Sequence, residues 1–84
     1  MKNREKILDL IRGPIAKSLG LSPDVISERT GIPFDLEMDY QIIEKLEEAK
    51  LWLNTGFDFI QLREGEKVGK LINLIIVANN LGED

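Results

Sequence analysis

The chain has no cysteine and no histidine. Without cysteine there is no disulfide framework, no thiolate nucleophile and no thiolate metal site. Without histidine the commonest general base and the commonest metal ligand are missing as well. Triads and zinc centres are therefore excluded by inventory, and no catalytic, cofactor-binding or metal-ligating set is assigned. Aromatics are sparse: one Trp, one Tyr and three Phe. No apolar run approaches the ~20 residues that a membrane span requires. The longest, Leu71 to Ala78, is interrupted by Asn73. Met1-Lys2-Asn3-Arg4-Glu5 is charged and lacks an uncharged apolar continuation, so it does not read as a signal peptide. The expected compartment is cytoplasmic.

What remains is a small acidic domain. Eighty-four residues make one domain, 1–84. A chain of this size buries only roughly 60–65% of its unfolded surface, so its core has little margin. Fifteen acidic residues against eleven basic give a net charge of −4. That balance disfavours phosphate backbones and favours partners with basic patches. Neither a nucleic acid nor a membrane is the expected partner.

Apolar spacing predicts helices. Ile7, Leu8, Ile11, Ile15 and Leu19 form one stripe at 3–4 spacing, with Asn3 as the expected cap and Leu19-Gly20 as the stop. Pro14 falls inside that stretch and predicts a kink or break between Arg12 and Ile15. Residues 21–38 read as a long loop. Ser22-Pro23 could open one helical turn within it, to about Ser27. Val25 or Ile26, Ile32, Phe34 and Leu36 are its expected anchors to the core. Asp39 is the expected cap of a second helix running to about Leu53. Ile42, Ile43, Leu46, Ala49 and Leu53 would face inward, and Glu44, Lys45, Glu47, Glu48 and Lys50 outward. Phe57 to Leu62 reads as a short third helix or turn. A last helix is expected from about Gly65 to Asn79, burying Val68, Leu71, Ile72, Ile75 and Ile76.

Two further features bear on function. Leu19-Gly20 is followed, twenty-one residues from Leu19, by Tyr40 at the end of Asp35-Leu36-Glu37-Met38-Asp39-Tyr40. This layout resembles the acyl carrier protein family. There, a Leu-Gly pair ends the first helix and, after a long loop, an Asp-Leu-x-x-Asp-Ser-Leu signature opens the second. The resemblance covers about residues 3–78, with Ile26 and Ile32 in the places of the loop anchors. It implies an all-α four-helix bundle: three main helices, one short one and a long loop between the first two. It also implies an acidic recognition helix that meets basic patches on partner enzymes, here an acyl- or lipid-pathway enzyme. The family's serine carries a phosphopantetheine arm. Here Tyr40 stands in its place and Gln41 replaces the following Leu. Ser18, Ser22 and Ser27 are the only serines, and none follows the signature. The resemblance therefore implies a carrier scaffold with no cofactor: a protein-binding or regulatory module. Its partner-binding residues would be Asp35, Asp39, Tyr40, Glu44, Glu47 and Glu48. Tyr40 has two readings. One is a half-buried packing residue with its hydroxyl at the surface; the other is a ring filling the surface from which the arm would emerge.

Competing with this is Ile15 to Arg29, where Ala16, Gly20 and Ile26 have the spacing of a helix-turn-helix DNA reader. Its second helix would offer Arg29 as its one cation, against Asp24 and Glu28, a poor match to phosphates. A third reading is a helical assembly subunit, with Trp52, Phe57 and Phe59 as interface anchors.

Overall fold

The computed structural model describes residues 2–51 and 66–82. Among these there are three α-helices and no strand: α1 (Asn3–Leu19), α2 (Leu36–Glu48) and α3 (Val68–Ala78). A three-residue 3₁₀ turn, Pro23–Val25, follows α1. The expected short element at residues 57–62, and Trp52, Phe57 and Phe59, lie outside the described residues.

Helix α1 is the central element and packs against α2, α3 and the 3₁₀ turn. Ile7, Ile11 and Ile15 recur every fourth residue and are fully buried. β-Branched residues are mediocre helix formers, so here packing rather than propensity sets the helix. Met38, Ile42 and Leu46 from α2 complete the core, with Val68, Leu71, Ile72 and Ile75 from α3. Ile26 and Ile32 pin the long loop to it. Each such side chain contributes about 1.5–3 kcal/mol through burial.

Several expectations need correction. α1 continues as one helix through Pro14, so the expected break is absent. An interior proline disfavours helical geometry in the residue before it, partly by clashing with that residue's Cβ. That residue is Gly13, which has none. Pro14 itself is buried, and the flanking Ile11 and Ile15 offset the lost backbone bond. Asn3 is the first helical residue rather than the cap; Lys2 holds the cap position, and its side chain makes no capping hydrogen bond to the helix. The Asn3 amide instead donates to the Gly82 carbonyl at 2.9 Å. α2 starts four residues earlier than expected, because Asp35 rather than Asp39 is its cap and accepts from the Met38 N–H at 3.2 Å. It also ends sooner, at Glu48 rather than Leu53. α3 begins at Val68 rather than Gly65. Phe34 and Leu36, expected as anchors, are exposed, and so is Ala49.

The three helices stop in the same way. A left-handed residue follows the end of each helix within two positions: Gly20, Lys50 and Asn80. The following Leu N–H reaches back to Ala16, Leu46 and Ile76 respectively, at 2.8–3.0 Å. This is the Schellman arrangement. It ends α2 early because Leu51 turns back to pack on the core. A lysine at φ 58 is strained where glycine would not be. Lys50→Gly is therefore expected to stabilise the fold by about 0.5–1 kcal/mol, although it also frees the unfolded chain. Chemical denaturation checks this, and a loss of stability would contradict it.

Candidate functional site: the outer face of α2

Asp35 organises the start of α2. One carboxylate oxygen caps the helix, and the other accepts from the Ser18 hydroxyl at 2.6 Å. The last turn of α1 is thereby tied to the first turn of α2. Both bonds end on a carboxylate and are charge-assisted, and the one from Ser18 is short. The Ser18–Asp35 pair therefore positions the start of α2 against the end of α1.

From that start the helical period sorts the remaining residues. Met38, Ile42 and Leu46 point inward, and Asp39 goes with them, only 6% exposed. Leu36, Tyr40, Glu44 and Glu47 fall on one outward stripe, with Glu37 and Glu48 along its edge. Tyr40 is 72% exposed, well beyond half-buried, and it is the fifth residue of the helix rather than its opening one.

The six residues expected to meet a partner therefore separate. Tyr40, Glu44, Glu47 and Glu48 share the exposed face. Asp35 is partly buried and occupied as a cap, and Asp39 is in the interior. Sequence reasoning missed Leu36, which lies exposed on the same stripe. The available signal was Met38, four residues before Ile42, which starts the buried stripe upstream of Asp39.

A groove runs between α1 and α2 beside this face. It consists of two adjoining hollows of about 180 and 250 Å³ that share Pro14, Lys17 and Gln41. Ser18, Asp35 and Met38 line the first, and Glu44 and Lys45 the second. Its charges are mixed, and among the described residues no three His, Cys, Asp or Glu are grouped to hold a metal.

The segment read as a helix-turn-helix has no second helix. Only Pro23–Val25 turns, with Ser22 as its cap at 3.4 Å from the Asp24 N–H. Proline at the first position and a cap two residues before Asp24 support one turn and no more. Glu28, beyond it, belongs to a clasp. Arg4 of α1 donates to both Glu28 carboxylate oxygens, to Asn73 Oδ1 and to the Gly69 carbonyl. The Glu28 carbonyl accepts from the Gly69 N–H at 2.9 Å. The Arg4 hydrogen bonds and charge hold the Glu28 carboxyl below its ordinary value of 4.5, against the opposing effect of burial. No helix is long and apolar enough among the described residues to cross a membrane.

Compared with known families, curated proteins and solved structures, the chain matches no family model, no curated protein and no solved structure.

Proposed function

We propose that this chain is a protein-docking module of acyl-carrier-like kind that carries no phosphopantetheine and meets a basic partner through the outer face of α2. The observation that carries the reading is the exposed stripe itself. Tyr40 stands out at 72% exposure, in line with the carboxylates of Glu44 and Glu47 and beside Glu48. An aromatic ring beside a row of carboxylates suits a partner that brings apolar and basic groups together. Tyr40 in place of the attachment serine supports the absence of a carried group. The four-helix form of the bundle and the acyl- or lipid-pathway identity of the partner are parts of this proposal, resting on the sequence resemblance. No chemistry of its own is assigned to the module.

Each exposed ion pair contributes little, about 0–1 kcal/mol, but a row of them steers encounter and sets register. Replacing Glu44, Glu47 and Glu48 together by Gln is expected to slow association with a lysine-rich probe peptide about tenfold, by loss of that steering. The melting temperature should hardly move, because all three side chains face solvent. Stopped-flow association at two salt concentrations checks this. The Debye length falls from ~10 Å at 0.1 M to ~3 Å at 1 M, so the wild-type advantage should vanish at high salt. Coexpression with a broad-specificity phosphopantetheinyl transferase should leave the intact mass unchanged. A gain of one phosphopantetheine, or salt-independent association, would overturn the proposal.

A further inference from the structure

The stripe changes character along its length. Leu36 and Tyr40 hold its first half, and Glu44 and Glu47 its second. At the helical rise, Leu36, Tyr40 and Glu44 follow one another at about 6 Å intervals. Further exposed apolar residues lie near the helix start in sequence. The Ser18–Asp35 hydrogen bond sets the end of α1 against the residue between Phe34 and Leu36. Leu19, next to Ser18, is 37% exposed, and Phe34 and Leu36 are 57% and 56% exposed. Exposed apolar residues thus neighbour in sequence both partners of the Ser18–Asp35 bond, and carboxylates follow along α2.

We infer that this graded surface binds a short amphipathic segment of another protein whose apolar and cationic side chains are segregated along its length. The apolar end lies on Leu36 and Tyr40, and the Lys or Arg end on Glu44 and Glu47. The inference rests on the protein-docking reading above and deepens it by stating the order of the partner's chemistry. Charge complementarity selects this occupant. A second copy of the chain fits badly. Two stripes related by a two-fold axis either stack carboxylates on carboxylates or set them, unpaired, on Leu36 and Tyr40. A nucleic acid would bring phosphates to an acidic face. A segregated segment satisfies both halves at once: its aromatic or aliphatic residues cover the exposed rings and branches, and its cations remain at the wet end.

The test uses two synthetic peptides of identical composition. One has its Leu and Phe at one end and its Lys at the other; the second has them interleaved. Both are titrated by fluorescence anisotropy against the full chain at ~0.1 M salt, where charges still act over ~10 Å. The segregated peptide should bind about tenfold more tightly, a difference of about 1.4 kcal/mol. The double variant Leu36→Ala/Tyr40→Ala should abolish the preference and leave weak, salt-sensitive binding of both. Circular dichroism checks that the double variant folds, as expected for two exposed positions. Equal binding of the two peptides by the wild type would overturn the inference and leave the protein-docking reading standing. Binding of neither would overturn both. A preference surviving in the double variant would move the apolar contact elsewhere and overturn the inference. A dimer in sedimentation that is lost with Leu36 and Tyr40 would give the surface to a second copy, with the same result.

Discussion

Ile42→Ala should lower the unfolding free energy by about 2–5 kcal/mol, the loss usual for truncating a large aliphatic core residue. Ile42 is fully buried on the face of α2 that joins the core. Removing its outer carbons forfeits the transfer term, and the cavity left behind adds to the cost, because isoleucines on α1 and α3 cannot all close in. For a chain of 84 residues the whole stability is about 4–13 kcal/mol, so one substitution can remove a large share. Tyr40→Ala, two positions away and exposed, should change stability by no more than about 0.5 kcal/mol. Urea titrations of the pair test the register of α2 directly. Comparable losses at both positions would mean that the inward and outward faces are assigned wrongly.

Gly69→Val is expected to cost about 1–3 kcal/mol, as overpacking does in a close-fitted site. A Cβ at Gly69 would lie 3.0–3.2 Å from the Glu28 side chain and carbonyl. Those atoms cannot retreat freely, since the Glu28 carbonyl already accepts from the Gly69 N–H and its carboxylate is held by Arg4. The variant should therefore loosen the clasp, and acid titration gives a second readout. Glu28 is held below 4.5 in the folded chain, so it adds stability that is fully present above pH 4.5. That contribution is lost as pH falls through the lowered folded value. The gap between wild type and Gly69→Val should thus narrow below pH 4.5. A gap that stays constant down to the acid transition would show that Glu28 is not released.

The hydrophobic rhythm of the chain carried most of the fold. Ile7, Ile11 and Ile15 defined α1, and the five apolar residues expected to be buried in α3 are all buried. Gly20 marked the end of α1 because a left-handed residue after a helix is a local, sequence-readable event. The start of α2 was misplaced because Asp35 and Asp39 are both competent caps. The choice between them depends on whether Met38 enters the core and whether Ser18 is near enough to donate to Asp35. Neither is local information. The end of α2 was misplaced for a related reason: Lys50 has no propensity for the left-handed region, and Leu51 drives it there by packing.

The candidate site was partly legible. Glu44, Glu47 and Glu48 were expected outside by period, and they are exposed. Asp39 was expected at the surface as a cap, and the shifted start carried it inward. Leu36 went the other way, because apolar character alone does not reveal which side of a helix entry a residue occupies. The Arg4–Glu28 clasp joins charges far apart in the chain, and nothing in either local sequence announces it.

The first turn of α3 has no side-chain cap of its own. Its opening N–H groups are taken by the long loop: Val68 donates to the Thr30 carbonyl at 2.8 Å and Gly69 to that of Glu28. The Ile32 N–H donates to Glu66 on the same seam, and Gly31 pairs with Lys67 as an isolated bridge. The last helix thus takes its N-terminal hydrogen-bond partners from distant sequence. A helix of eleven residues is too short to persist alone in water. Its persistence therefore depends on contacts that close the large loop between Thr30 and Val68, at an entropic cost. The regular structure among the described residues is helical, yet the last helix leans on contacts far apart in sequence, as paired strands do.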